Sequence, residues 1–564
     1  MAEILSNRRK AIKHLFWFLV PFLVFNLNAQ NLRSDRIQKR VAELEKVQKS
    51  KPKLVKKIGC GYVILVSNQQ EFDGINGRIN EALKKGEKKI VIKIRKGIYH
   101  FKSNHILRIE ENSEDVAFFF EGENAIITSD LEHGSQSQLS PWTEVQRAEG
   151  PIKVIDAKSG YCHLPFNNID SSHRQLKKIQ ITKWFRTGTY DITSIDDKGF
   201  YFSAPNLKYI EISGRKGYDI NYDYLYSGGN PRFRLYDLSK VDNCNASVFL
   251  NISNSSYKSI SISGLEFNGN RSSSSLLSFR NVQSSIIRIS NCKFINLRNI
   301  LLSVSNSNNV VFENNKITNT LEDVLVFKDG CKNVWIKNNE FDNCGINLKQ
   351  TFCVNCGDVD YYIGHNVFRD FGYAAIGVGV LRNKESRNYS GGIIEHNEIC
   401  FTPNFYANCW KYTLMDSGAI YTWTQNDNVV IRYNYIHDYS GAGDNRGIFC
   451  DDGASNISIY KNVIFNISNS YCIDSRQVVD YNTRYKNNAN NFIYGNVVDG
   501  SIRLMGYTDE DRHVIKGMNY VLVKPDYKPI ENKLENLEMG EDDRVISDPK
   551  SKIIKKQIEQ CLHQ

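Results

Sequence analysis

The chain of 564 residues carries only 13 cysteines, too thinly spread for a disulfide framework. After its first thirty residues it has no apolar run long enough to cross a membrane. It also lacks a basic body, although its formal net charge is +10. Residues 1–30 hold +3 of that (four Arg/Lys against Glu3), and residues 31–57 hold +7 (ten Arg/Lys against Asp35, Glu43 and Glu45). From residue 58 onward the balance is therefore near zero. Phosphate binding needs a basic face, so nucleic acid is not an expected partner. A charge run confined to one arm is ordinarily solvated.

The apolar run that does exist is short and N-terminal. Arg8, Arg9, Lys10 and Lys13 precede an apolar stretch from Leu15 to Phe25 that Pro21 interrupts. Asn28-Ala29-Gln30 then offers a cleavage site, so residues 1–30 read as a signal peptide of the Gram-negative type. No Cys follows closely, which argues against a lipid anchor. The expectation is a secreted or periplasmic protein, not inserted in a membrane after cleavage, and a monomer. Among the cysteines, Cys353 and Cys356 have CxxC spacing with Cys344 upstream, but no second pair completes a zinc set. Cys292 and Cys450 read as small buried hydrophobes.

What is present is a repeat. An apolar-x-apolar-x-x-Asn-x-apolar phrase recurs nine times between residues 260 and 500, as in VVFENNKI (310–317), VWIKNNEF (334–341) and VVIRYNYI (429–436). Its asparagine column reads Leu265, Cys292, Asn315, Asn339, Asn366, Asn397, Asn434, Asn462 and Asn496, in steps of 27, 23, 24, 27, 31, 37, 28 and 34 residues. Such a period means stacked units that cannot bury their apolar faces alone. The i, i+2 spacing says strand. Each Asn is expected in a left-handed bend, bonded to its neighbours as an internal amide ladder. These features predict an all-β chain, a right-handed parallel β-helix.

Around it, residues 31–57 read as a basic arm, and 58–129 as an N-terminal helical cap with the first coils. Within the latter, residues 72–86 form an amphipathic helix ended by Gly86, and residues 89–99 one alternating strand. Residues 130–245, with Trp142, Trp184 and Phe185, lack the phrase and read as an inserted β subdomain. The helix proper spans 246–504, and 505–564 is expected to be a covering segment.

The longer steps must eject loops, where function is usually carried. There two segments fall in register, YTLMDSGAIYTWT (412–424) and SGAGDNRGIFCDDG (440–453), each isoleucine eleven residues before the next apolar phrase. Ile420 and Ile448 should stack inside, turning Tyr421 and Trp423 outward on one rung and Phe449 and Asp451 on the next. Ile473 continues the row and puts Arg476 beside Asp451. Asp416, Asp451 and Asp452 thus share a surface with three rings and a cation. Sugar chemistry needs such a set: one carboxyl to protonate the leaving oxygen, one to attack or activate water, and aromatic faces for the pyranose. Asp416 and Asp451 are the expected pair, with Asp452 the alternative to Asp451. Tyr421, Trp423, Phe449, His437, Asp444 and Arg476 are the expected substrate contacts, and Gly418 leaves room for a substrate. Trp410 and Arg503 are loop residues with weaker support. Aspartates at bends also serve as plain turn residues, and His437 could simply bond Asp438.

At these residues the chain resembles the secreted β-helix proteins related to glycoside hydrolase family 141, of the pectate-lyase-like superfamily. DSGAIYTW (416–423), NVVIRYNYIHD (428–438) and GIFCDDGA (447–454) carry the resemblance, which extends more weakly over residues 60–500. It implies hydrolysis of plant polysaccharides, by α-L-fucosidase or xylanase action, without a required metal. The implied catalytic aspartates fall on Asp416 and the Asp451–Asp452 pair. GIFC (447–450) stands where the family more usually has Gly-Ile-Tyr-Leu. Two other readings stay open: a polysaccharide lyase or uronate epimerase, using Arg476 or His437 and Ca2+, and a non-catalytic glycan-binding solenoid.

Overall fold

The computed structural model describes residues 61–506 except for 102–106, 109–112, 129–143, 157, 184–185, 205–207, 213–214, 221–222, 227–230, 237–248, 271–274, 285, 380–390, 442–444, 468–470 and 477–490, together with 520–522 and 544–546. The expected signal peptide and basic arm, Trp142, Trp184, Phe185, Asp444 and the side chain of Asp452 lie outside the described residues.

The chain is a right-handed parallel β-helix. Among the described residues its coils hydrogen-bond into one continuous 31-stranded network with three faces. On the first face, Ile376, Ile420, Ile448, Ile473 and Ile502 are register partners from rung to rung. The second face carries Ile260, Ile287, Val310, Val334, Tyr361, Gly392 and Val429 in the same way. Phe294, Ile317, Phe341, Phe368, Ile399, Ile436 and Ile464 line the third. All these columns but Gly392 belong to one buried apolar core, which is what the i, i+2 pattern demands. The third face continues past residue 504, where Tyr520–Leu522 and Arg544–Ile546 add two more parallel strands.

The asparagine column forms the expected ladder. Asn315 Nδ2 donates to Asn339 Oδ1 at 3.1 Å, Asn339 to Asn366 at 2.9 Å, Asn366 to Asn397 at 3.0 Å and Asn397 to Asn434 at 2.9 Å. Asn434 and Asn462 continue it to Asn462 and Asn496, each at 3.0 Å. Each Oδ1 also accepts the preceding column residue's backbone N–H, so the buried amides are satisfied from both sides. The left-handed bend falls one residue earlier than expected, on Asn314, Asn338, His365, His396, Tyr433 and Lys461. Turning the chain at that residue is what aims the next side chain inward. A tyrosine with positive φ is uncommon; Tyr433 is held there by stacking on His396, ring centroids 5.2 Å apart.

At the open end two helices, Gln69–Asp73 and Ile75–Lys84, bury Phe72, Ile75, Ile79 and Ala82 over the first rungs. They replace the single helix expected there, because Gly74 interrupts it; Gly86, at φ 75°, lies just beyond. The expected strand over 89–99 likewise splits at a coil corner into Lys89–Ile94 and Gly97–His100. Between Gln146 and Tyr236 lies a separate seven-stranded antiparallel sheet with its own core, including Leu164, Phe200, Phe202 and Phe233. This sheet touches the helix at its first face: Arg234 Nη2 donates to the Asn347 carbonyl at 3.1 Å and Arg232 Nη1 to the Thr413 carbonyl at 2.7 Å. Among the described residues no helix is long and apolar enough to cross a membrane.

Candidate functional site

The predicted register is present. Ile420 pairs with Ile448, Tyr421 with Phe449, and Trp423 with Asp451, on parallel strands within Ser417–Arg432 and Asn445–Tyr460. Asp416 sits at the bend feeding the first of these, with φ 59°, a conformation that a short polar side chain tolerates. Its Oδ1 accepts from Arg446 Nη1 at 3.0 Å and lies 3.8 Å from Arg476 Nη1. Its backbone carbonyl accepts from the Tyr373 hydroxyl at 2.7 Å. Asp451, one rung on, is buried and accepts from the Tyr421 hydroxyl at 2.9 Å.

Tyr373 and Tyr421 lie side by side, ring centroids 5.8 Å apart. Burial pushes both phenols well above their ordinary acidity range, and the negative charges of Asp416 and Asp451 push each further. Both hydroxyls therefore stay protonated and able to donate. Because Tyr373 is bonded to Asp416 and its neighbour Tyr421 to Asp451, the two aspartates lie along the same face.

The expected aromatic platform is not what the alternation suggested. Phe449 and Tyr421 do point away from the helix core, but a second apolar cluster covers them: Val145, Leu348, Phe352, Tyr373 and Leu414, with Trp410 and Trp423 at its margin. Phe449 is fully buried, with the guanidinium of Arg446 4.0 Å and that of Arg476 4.8 Å from its ring centre. It cannot present a face to a sugar. Tyr421 reaches the site through its hydroxyl, and Trp423, half-buried, is the ring of the three that meets solvent. Gly418 is likewise no opening for substrate: a Cβ there would meet the Phe449 Cβ at 2.8 Å, so close packing of rungs requires the glycine. Trp410 is held from the seven-stranded sheet, with the Arg147 guanidinium 4.6 Å from its ring centre and Arg232 bonded to its carbonyl.

The sequence reading missed the anchor of the site. Asp474, fully buried, is the register partner of Phe449 and of Arg503. Its carboxylate accepts from Arg446 Nε at 3.0 Å, Arg476 Nε at 3.0 Å, Arg503 Nε at 2.9 Å and Arg503 Nη2 at 2.5 Å. Arg446, fully buried, bridges Asp474 to Asp416. A buried charge survives only when paired and hydrogen-bonded, and here each charge has such partners. The alternation that placed Tyr421 outward applies equally to Asp474, next to Ile473, whereas Arg446, two before Ile448, would be read as inward by the same rule. Arg476 was expected as a substrate contact; its Nε is committed to Asp474, and its exposed fraction is 17%.

His437 lies elsewhere, on the third face. Its Nδ1 bonds Asp438 Oδ2 at 2.7 Å, its Nε2 lies 3.5 Å from Glu398 Oε1, and its ring stacks on Tyr435. Burial lowers its basicity, but hydrogen bonds to Cys400, Glu398 and Asp438 outweigh this and raise its pKa to about 10. It makes its contacts with these groups and not with the first-face aspartates, so it does not share their groove. The ten cysteines among the described residues are all free and buried.

No family model matches the chain, and no curated protein matches it. Among solved structures it is similar to a chain titled glycoside hydrolase, at 8% identity and TM-score 0.37, covering 73% of this chain and 95% of that one. It is also similar to the catalytic domain of a GH87 alpha-1,3-glucanase in complex with nigerose (13% identity, TM-score 0.18, 63% and 90% covered). A variant of that domain in complex with tetrasaccharides gives 12% identity and TM-score 0.16, with the same coverage.

Proposed function

We propose that the protein is a secreted glycoside hydrolase acting on a polysaccharide, with Asp416 and Asp451 as its carboxyl pair. The observation that carries this is their shared setting: two aspartates from neighbouring rungs border the same two buried, protonated tyrosines, yet differ in their immediate partners. Asp416 is half-buried against the Arg446 guanidinium. Asp451 is buried and accepts from the Tyr421 hydroxyl. Two carboxyls held in unlike environments divide naturally into base or nucleophile and acid. One of the two then protonates the glycosidic oxygen, while the other attacks the anomeric carbon or removes a proton from the attacking water. Trp423 supplies the ring for the sugar's C–H face. Asp452 remains the alternative to Asp451, and Asp444 a further contact.

The lyase reading is the less favoured. It needs an unprotonated base at the sugar, whereas Arg476 donates to Asp474 and His437 belongs to the third face. Digestion of a panel of plant and microbial glycans tests the proposal. New reducing ends without an unsaturated uronate product, lost in Asp416→Asn and Asp451→Asn, are expected. An unsaturated product would overturn hydrolysis, and full activity of either variant would overturn the pair.

A further inference from the structure

Among the described residues one group has the composition of a transition-metal site: Glu398, Cys400 and His437, whose ligating atoms all lie within 4.8 Å of one another. It is built into the third face. Glu398 and Cys400 stand two apart on the strand Glu398–Cys400, hence on one side of it, and Cys400 is the register partner of His437 on the next rung. Rung spacing of about 4.8 Å brings such partners within reach of a single ion. Tetrahedral zinc, with bonds of about 2.0–2.3 Å, needs ligand atoms roughly 3.3–3.8 Å apart, a closure of about 1 Å that side-chain rotation supplies.

Two further features favour a metal over a chance grouping. First, His437 Nδ1 is bonded to Asp438 Oδ2, and the other oxygen of Asp438 is fixed by Asn466 Nδ2 at 2.6 Å. A carboxylate on one imidazole nitrogen aims the other at a metal and strengthens it as a donor. Here Nε2 faces Glu398 and Cys400. Second, the donor set mixes thiolate, imidazole and carboxylate. That mixture suits zinc and its neighbours in the transition series, not calcium or magnesium, which prefer all-oxygen shells. Arg369, the register partner of Cys400 on the preceding rung, is the charge that opposes a cation; Glu398 and Asp438 offset it.

We propose that Glu398, Cys400 and His437 bind one Zn2+ with Asp438 as the supporting carboxylate, leaving a fourth position for water. Binding releases the Cys400 thiol proton, and any proton on His437 Nε2, to solvent. The site also has a place in the architecture. Cys400 is the last residue of its strand before the ejected segment that contains the short helix Pro403–Asn408 and ends at Asp416. A metal there would clamp the root of that segment to the next rung.

Titration of the chelator-treated full chain with Co2+, followed by displacement with Zn2+, tests this. One equivalent of Co2+ should give tetrahedral visible bands and a thiolate-to-cobalt charge-transfer band. Cys400→Ser should remove the charge-transfer band, and His437→Gln should remove one-equivalent binding. Asp438→Asn, a surface change expected to leave the circular dichroism spectrum unaltered, should weaken binding by about 10–100-fold. Absence of the charge-transfer band, or its persistence in folded Cys400→Ser, would overturn the site. Binding in Asp438→Asn as tight as in the parent would overturn the supporting role of that carboxylate.

Discussion

Asp323 provides a quantitative test of the packing on the first face. It lies just before the strand Leu325–Lys328, with Oδ1 accepting the Phe352 N–H at 2.7 Å and Oδ2 accepting from Asn355 Nδ2 at 3.2 Å. Burial raises its pKa from 3.8 to about 6, and these two hydrogen bonds recover only part of the shift. One pKa unit is worth about 1.4 kcal/mol, so roughly two units make the charged side chain cost about 3 kcal/mol of stability. The sign follows from the direction. A folded-state pKa above the unfolded value means that this cost is absent below pH 3.8, grows as pH rises, and is complete above about pH 6. Asp323→Asn removes the ionisation at nearly constant shape. The new amide also meets a waiting acceptor, because Asn355 Oδ1 is buried with no hydrogen-bond partner among the described residues and a flip of the Asn355 amide turns it toward residue 323. Some of the gain is lost as the Phe352 N–H exchanges a charged acceptor for a neutral one. The net expectation is about 2–3 kcal/mol of added stability at pH 8, fading to nearly nothing at pH 4. Guanidinium unfolding at the two pH values, with slopes compared to check that the transition is the same, measures it. A variant no more stable at pH 8 than at pH 4, relative to the parent, would refute the argument.

Asp416→Asn and Asp451→Asn should each lower kcat by about 10²–10⁴-fold on whatever glycan the screen identifies, with the unfolding midpoint near the parent's for Asp451→Asn and lower for Asp416→Asn, which takes a charged partner from buried Arg446. Trp423→Ala should raise KM more than it lowers kcat, since a sugar-stacking ring acts in ground state and transition state alike. Arg446→Met should cost about 3–5 kcal/mol of stability, because it takes a partner from both Asp416 and Asp474 inside the protein; a near-neutral effect on unfolding would mean that the cluster is wetter than its burial indicates. Asn397→Ala breaks the ladder mid-column: the Asn366 backbone N–H loses its acceptor, the Asn366 side-chain amide keeps only the Ile336 carbonyl, and the Ile363 carbonyl and Asn434 Oδ1 each lose a donor. A loss of about 2–4 kcal/mol is expected in chemical denaturation.

How far the sequence could be read depended on whether a contact was local to the repeat. Alternation and the asparagine column depend on period alone, so the three faces, the ladder and the Ile420–Ile448–Ile473 row follow from residue spacing. The left-handed bend was misplaced by one residue because Asn314 and Asn338 precede equally plausible column asparagines, and it is His365, His396, Tyr433 and Lys461 on later rungs that distinguish the two positions. Asp474 was legible by the same alternation that exposed Tyr421, but Arg446 was not, being two residues from Ile448, and nothing local to these rungs says that three arginines would converge on one carboxylate.

The fate of Phe449 and Tyr421 was beyond reach for a different reason. Pointing away from the helix core and meeting solvent are separate properties. The second is decided by chain remote in sequence: Val145, Leu348 and Leu414 cover these rings, and Arg147 and Arg232 of the seven-stranded sheet grip Trp410 beside them. That covering changes the chemistry available. On an open face, Tyr421 would be a ring for a sugar to lie on. Beneath the cover it becomes a dry phenol whose hydroxyl is aimed at Asp451, and a hydrogen bond in such surroundings is stronger than one made in water. Tyr421→Phe separates the two roles. A stacking ring would tolerate loss of the hydroxyl, whereas a hydroxyl that fixes the Asp451 carboxyl would not. The variant should therefore keep substrate affinity while losing turnover and shifting the Asp451-dependent limb of the pH–rate profile. An unchanged profile with weakened binding would return Tyr421 to the platform role that its place in the sequence first suggested.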